Sequence, residues 1–442
     1  MRRLLPLLGF SICVFVPGVV MAESFTSPCG NESDPVPFGE AEVGEVLLGA
    51  STGIIHDIVT TNTHLYVCGI FDQVDGVAAH NIARWDGTTW EALHGLSGDP
   101  ADEGLSYWGA ADCVMTIGPL GKLFVAGTID GVGIQPAVNI AAWDAGSGWQ
   151  TLPTGGIAND PLQRVYSLAS SPNLVEVGGW FTKDGAGNPL PHSGHARFDP
   201  FTWTWSYAVG SYYAPEIMSM HYWDAVGLLI LGGHMNHPSA SLTKNLFADA
   251  VGPDLFLERE VPQHVMSLVP AEIGSQDALA WSLRPNDPKP ASSMVSVSYD
   301  PVHGPMYVPT PGMGFVDTNG YVGYLGTPTD EVYDFVYPSG PMWKPEALFA
   351  GGYFSDISGT TLSNIGWYQA PAVGGPTTWK SVDYAGASGA GGLVAALDEF
   401  AAPDWLAPLA VGECVWAGGQ YTTILGEPAS SIGGFCCTGN GG

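Results

Sequence analysis

Three histidines and two aspartates hold positions from which they could act together. His56, Asp57, Asp112, His221 and His264 fall in or beside short apolar runs that recur along the chain. Imidazole and carboxylate side chains can share general acid–base work or hold a divalent metal. If those runs are the innermost strands of a ring of sheets, the side chains line its channel. Polar groups converging on a channel mouth mark a place for a ligand, and His56, Asp57, His221 and His264 are the expected ligand-binding residues. For each, a bond to nearby backbone or channel water is the plainer alternative. His234 and His237, in Gly-Gly-His-Met-Asn-His-Pro, could grip a metal from one loop, although Asn and Pro are also ordinary turn formers.

Other residue types give weaker signals. Asp72, Asp75, Asp130, Asp184 and Asp356 recur after a Gly-terminated strand. Carboxylate oxygens suit calcium, but the alternating acidic spacing of a dedicated calcium loop is missing, so turn stabilisation is favoured and no resident cofactor is expected. No nucleophile elbow, zinc-protease helix or phosphate-binding loop is present, and no catalytic residue is assigned. Seven cysteines, less Cys13 in the apolar N-terminal run, leave an even six, which in an exported chain points to disulfides. The strand plan below pairs Cys68 with Cys113, Cys414 with Cys436, and Cys29 with Cys437.

A repeated phrase must position these groups. Leu65-Tyr-Val-Cys-Gly-Ile-Phe leads through a polar loop to Asn81-Ile-Ala-Arg-Trp-Asp-Gly and then Trp90. Related phrases end their second strand at Gly127, Gly179, Gly233, Gly352 and Gly419. In four copies the distance from this Gly to the aromatic of the third strand is the same: 69 to 85, 127 to 143, 352 to 368 and 419 to 435. Fixed spacing of this kind marks a repeat architecture, and four strand signals per repeat describe a propeller blade. The interval from Gly233 to Gly352 is about twice the others and should hide a further blade. Val265–Val269, Ala278–Leu283, Met294–Asp300 and Met306–Val308 are the strands expected there.

The reading is therefore an all-β, seven-bladed β-propeller over residues 44–438, with six or eight blades as alternatives. The last repeat stops after its third strand, and Gly44-Glu-Val-Leu-Leu-Gly49 resembles an orphan fourth strand, so the N-terminus is expected to complete the last blade and remove an open edge. Trp85, Trp90, Trp143, Trp149, Trp367 and Trp379 recur at fixed places and are expected between blades. Trp108, Tyr212, Tyr213 and Trp223 fall off the pattern and are candidates for an exposed binding surface, as are the long loops at 98–112, 180–195 and 309–330.

Arg2 and Arg3, an apolar run to Val20 and the small-residue site at Val20-Met21-Ala22 read as a signal peptide over residues 1–22, followed by a leader at 23–43. The formal net charge of −30 repels nucleic acid and anionic membrane. No later run is long and apolar enough for membrane insertion.

The Gly-Gly strand ends followed by aromatic hairpins resemble kelch-type propellers, including the central domain of galactose oxidase. Val177-Gly-Gly179 with Phe198-Asp-Pro-Phe-Thr-Trp-Thr-Trp205 matches that spacing best, whereas Trp85-Asp-Gly-Thr-Thr-Trp90 is similar to the Ile-Ala-Arg-Trp-Asp-Gly repeats of exported bacterial proteins and of fungal cortical polarity-marker ectodomains. The resemblance implies fold and says little of activity. It invites a copper-radical site, but with six cysteines assigned to bridges no thiol is expected for the required Tyr–Cys crosslink. The function expected is that of a secreted, monomeric, non-catalytic binding or surface-interaction module for an extracellular protein or glycan. The alternative is an extracellular hydrolase or lyase working at the channel mouth.

Overall fold

The computed structural model describes residues 43–50, 53–95, 102–107, 112–157, 163–191, 193–207, 213–223, 227–236, 243–249, 265–272, 277–283, 295–300, 304–308, 312–317, 322–338, 347–369, 378–384, 387–401, 413–425 and 427–437. The signal peptide, the leader up to residue 42 with Cys29, and His237, His264, Trp108 and Tyr212 all lie outside these residues, while Val43 already belongs to a strand.

Among the described residues, seven main antiparallel sheets follow one another along the chain, with five small two- or three-stranded sheets between or beside them. Their innermost strands are Ile54–Thr60, Cys113–Ile117, Arg164–Ser170, Tyr213–Trp223, Val265–Glu272, Val332–Val336 and Ala390–Ala401. Each lies against the next, and Ala390–Ala401 lies against Ile54–Thr60, so the sheets close into a ring. The fold is a β-propeller. Within each sheet the chain steps outward through successive antiparallel neighbours, four strands in six of the sheets and three described strands in the fourth.

Closure uses the two ends of the chain. Val43–Ala50 pairs antiparallel with Ser431–Cys437, Val46 opposite Phe435 and Leu48 opposite Gly433. The seventh sheet thus takes its outermost strand from the N-terminal side, which covers the edge that Ser431–Cys437 would otherwise expose. Leu393–Phe400, despite some helical composition, lies within the inner strand of this sheet.

The repeated glycines have a steric cause. A Cβ at Gly69 would lie 2.0 Å from the Ile54 carbonyl oxygen, at Gly179 2.3 Å from that of Arg164, at Gly352 2.2 Å from that of Glu331, and at Gly419 2.1 Å from that of Leu393. The inner strand therefore presses its backbone into the space that a side chain would fill. A one-residue bulge follows at once in these four sheets, between Ile55 and Asp57, Val165 and Ser167, Val332 and Asp334, and Val394 and Ala396. The first glycine of each pair faces the neighbouring sheet instead. A Cβ at Gly178 would strike Ile217, at Gly351 Val394, and at Gly418 Ile55. In the first sheet Cys68 stands at this position, and it is bonded to Cys113 of the second sheet with a Cα–Cα distance of 6.3 Å. The staple expected from the strand plan is there because the place faces the next inner strand. Cys414 is also disulfide-bonded, and its ladder partner is Cys436.

The apolar cores lie between sheets, one for each of six consecutive pairs. Trp85 and Trp90 pack with Trp416 across the junction of the first and seventh sheets. Trp143 and Trp149 are buried against the first sheet, Trp379 against the fifth and Trp367 against the seventh. Several indoles also donate a hydrogen bond to the preceding sheet: Trp149 to the Leu93 carbonyl (3.1 Å), Trp205 to Pro153 (3.0 Å) and Trp379 to Leu325 (2.6 Å). Burying these N–H groups unpaired would cost about 1–3 kcal/mol each.

Two expectations need correction. Residues 295–308 do not complete the fifth sheet, because Val295–Asp300 and Gly304–Val308 pair only with each other. Met313–Asp317 and Val322–Gly326 supply the third and fourth strands, with Met313 and Leu325 buried against the sixth sheet, so the stretch 309–330, expected to be a ligand-bearing loop, contains two strands of the fifth sheet. Trp223 is 2% exposed at the end of an inner strand, and an apolar indole in that position is core, not binding surface.

Cys68→Ser should lower unfolding stability by about 2–4 kcal/mol, measured by denaturant titration under oxidising conditions, because the bridge closes a 45-residue separation. Equal stability of the variant and the parent would show that the bridge does not constrain the unfolded chain.

Candidate functional site

At the start of each inner strand, one residue precedes the position that pairs with the reference glycine. Asp112, Arg164, Glu216 and Glu331 hold this place in the second, third, fourth and sixth sheets, with Ile54 and Leu393 in the first and seventh. Together they rim one mouth of the ring. The bulged residue just inside is His56 in the first sheet, Tyr166 in the third and Tyr333 in the sixth. The mouth is thus polar because bulging turns one extra side chain toward it in these sheets.

A continuous arc runs across four sheets of this mouth. His56 Nδ1 is 3.8 Å from Asp112 Oδ1, and Arg164 lies 5.5 Å from the centre of the Tyr166 ring. Tyr166 in turn hydrogen-bonds Glu216, and Tyr333 donates to Glu331 Oε2. Burial lowers the His56 pKa, opposed by the negative charge of Asp112. Burial raises the pKa of Asp112, opposed by His56 and Arg164. The pair sits under the Tyr107 hydroxyl, which donates to the Gly69 carbonyl at 2.9 Å and whose pKa burial drives upward. His56 Nε2 is buried with no hydrogen-bond partner.

The other residues singled out from sequence are placed differently. Asp57 accepts from the backbone N–H of Ile58 and from that of Met115 in the second sheet. Asp334 repeats the arrangement, accepting from Phe335 N (2.9 Å) and from Leu397 N of the seventh sheet (2.8 Å). Asp398 accepts from Glu399 N and bonds Thr60 of the first sheet. These three channel carboxylates are bridges between neighbouring inner strands. His221 pairs with Ile230, five residues beyond Glu216, or about 16 Å along an extended strand. It is not brought together with His56. His234 lies in a strand opposite Glu216. Among the described residues no group of three His, Cys, Asp or Glu side chains is arranged to hold a metal. Asp72, Asp75, Asp130, Asp184 and Asp356 follow the second strands, Asp130 and Asp356 in short strands of their own; Asp184 accepts from Asn188 N and Asp356 from Gly359 N, as turn-forming aspartates do.

Some constellations had no clear sequence signal. Asn81, Asn139 and Asn364, the first residues of the Asn-Ile-Ala phrase and its relatives, adopt φ of 65°, 59° and 61°. Their side-chain amides donate to Leu105, Ile157 and Ala390 carbonyls at the edge of the following sheet. Recurrence of Asn at one place was the signal, and its partner could not be read. His195, Glu176 and Arg197 form a buried ion cluster inside the third sheet. His80 and His94 straddle Glu103 near the surface.

The strand end past the reference glycine provides another feature of the same mouth. Ile70, Trp180 and Tyr353 each directly follow it and are 42%, 44% and 56% exposed. Their chain neighbours Phe71, Phe181 and Phe354 are buried. Strand alternation therefore forces these three large side chains outward.

No known family model matches the chain, and no curated protein matches it in sequence. Solved structures similar to it include the computationally designed Ika8 protein (12% identity over 88% of this chain and 98% of that one, TM-score 0.44). They also include the Dos1 propeller (11%, 91% and 98%, TM-score 0.42) and the WD40 repeats of RRP9 (10%, 78% and 99%, TM-score 0.36).

The channel carboxylates carry a pH dependence. Burial chiefly, with the nearby charge of Asp334 adding to it, pushes the Asp398 pKa up to about 7, and the Asp57 pKa moves the same way for the same main cause. A carboxyl whose folded pKa lies above its unfolded value of about 3.9 favours the folded state fully below that value, and the advantage is lost as the pH rises to about 7. Asp398→Asn should therefore gain stability over the parent at pH 8, and that gain should shrink by pH 5 and vanish only below about pH 4, measured by denaturant midpoints. A gain that is the same at both pH values would contradict the assignment.

Proposed function

We propose that this chain is an exported, kelch-like β-propeller serving as a binding or cell-surface interaction module, with an extracellular protein or glycan held at the mouth lined by Arg164, Glu216 and Glu331. The observation that carries the reading is the trio Ile70, Trp180 and Tyr353. Three sheets direct a large, exposed, apolar or aromatic side chain from the same strand end toward the same face. Exposed aromatics beside a polar rim are a usual composition for a recognition surface.

Binding is favoured over turnover by how the channel carboxylates are used. Asp57, Asp334 and Asp398 already accept backbone N–H groups from their own and neighbouring strands, so their lone pairs serve assembly. The His56–Asp112 contact supports a second reading, a hydrolase or lyase with this pair as base and orienting group. Secretion rests on the N-terminal sequence, and N-terminal sequencing of the mature protein should begin at Glu23.

A glycan array run beside a broad hydrolase screen separates the two. Under the binding reading, a glycan or extracellular protein is retained without turnover, and Trp180→Ala weakens retention about tenfold or more while the melting temperature stays unchanged. Turnover that disappears in His56→Ala would sink the binding reading in favour of the enzyme.

A further inference from the structure

A cleft of about 390 Å³ opens where the sixth sheet meets the seventh. Its position follows from the repeat. Tyr353 is the exposed residue after the reference glycine of the sixth sheet, Thr329 and Asp330 precede that sheet's inner strand, and Ala390 begins the inner strand of the seventh. Asn364 ties the walls together, its Oδ1 accepting from Phe354 N (3.0 Å) while its amide donates to the Ala390 carbonyl (3.0 Å). The volume falls within the range of small-molecule sites, roughly 300–1,000 Å³.

The lining selects a chemical class. It contains no Lys, Arg or His, so nothing there answers a phosphate, sulfate or carboxylate. Thr329 Oγ1 accepts from Ser355 N (3.0 Å) and Asp356 N (3.3 Å), which occupies its lone pairs, so its hydrogen goes to Ser355 Oγ 3.4 Å away and the Ser355 hydrogen is left to give. Ser363 adds another hydroxyl to the wall. Asp330 is part of the lining and uses Oδ1 to accept from Glu331 N at 3.0 Å, so its carboxylate brings a second acceptor oxygen to the wall. Tyr353 adds an exposed ring whose negative face attracts weakly positive C–H groups. Hydroxyl donors, one carboxylate acceptor and one aromatic face suit a molecule with hydroxyls at its edge and C–H bonds on its flat side.

We propose that this cleft binds a neutral hexopyranose, its ring stacked on Tyr353 and its hydroxyls shared between Ser355 and Asp330. The proposal rests on reading this face as a binding face. It names a site distinct from the Arg164–Glu216 arc, with its own determinants.

The test is ligand-observed NMR on the full mature protein with methyl glycosides of glucose, galactose, mannose and N-acetylglucosamine, and methylamine as a comparison. At least one glycoside should show saturation transfer with millimolar affinity. Tyr353→Ala should weaken it about tenfold or more, while Tyr353→Phe and Phe201→Ala, the latter at an exposed aromatic in the outer hairpin of the third sheet, leave it within about twofold. Asp330→Asn should weaken it severalfold while the melting temperature is retained. Absence of binding by every glycoside, or binding that Tyr353→Ala leaves intact, overturns the site. Methylamine binding that depends on Tyr353 and Asp330, without glycoside binding, would overturn it in favour of a cation site. A larger ligand retained equally by the parent and Trp180→Ala would sink the mouth reading while Tyr353-dependent glycoside binding leaves the cleft standing.

Discussion

A backbone carbonyl resting where a side chain would otherwise be is the contact on which this ring depends. At Gly69, Gly127, Gly179, Gly233, Gly352 and Gly419, an added Cβ would come within 2.0–2.4 Å of the carbonyl oxygen of an inner-strand residue or its immediate predecessor. Real Cβ atoms do not approach backbone so closely. Only glycine lets the second strand lie this near the first, and the nearness coincides with the bulges that turn His56, Tyr166 and Tyr333 inward. The preceding glycine repeats the principle between sheets, admitting Ile217, Val394 or Ile55 of the next inner strand. A two-residue phrase thus sets both the shape of a sheet and its distance from its neighbour.

Once the sheets are that close, polar groups near their junctions need partners, and the repeat supplies them. Indoles of the fourth strands donate to the preceding sheet, asparagines donate to the following one, and channel aspartates accept N–H groups across inner strands. A buried polar group without a partner costs about 1–3 kcal/mol, so these bonds hold the sheets in one relative register. The same economy explains why acidic residues in the channel are not free for chemistry. What remains outward is whatever assembly does not use: the exposed residues after the reference glycines, the arc from His56 to Glu216, and the cleft beside Tyr353.

Much of the architecture was legible in the sequence. The constant step from Gly69 to Trp85 and its counterparts located the sheets, and the orphan Gly44–Gly49 run located the closing strand. The fifth sheet was only half legible. Its first two strands carry apolar runs, but the inserted hairpin at 295–308 has strand character of its own and precedes the true third strand, which sequence order alone could not reveal. Trp223 departs from the repeat and is nevertheless buried, because an inner-strand end can be as enclosed as a recurring position. The candidate site was less legible. His56 and Asp112 come together because a bulge and a strand start meet at one mouth, whereas His221 lies farther along its strand. Depth within a channel depends on ladder register, which spacing between distant histidines does not encode.

The direct measurement compares two alanine substitutions by denaturant unfolding. Gly179 has no positive φ, but an added Cβ there would lie 2.3 Å from the Arg164 carbonyl oxygen, while Gly76 has a φ of 76° with nothing within 4 Å of an added Cβ. Gly76→Ala should cost only the left-handed strain, about 1–2 kcal/mol. If close approach organises the ring, Gly179→Ala must cost clearly more, since strand or carbonyl has to move. A smaller loss at Gly179 than at Gly76 would contradict the account.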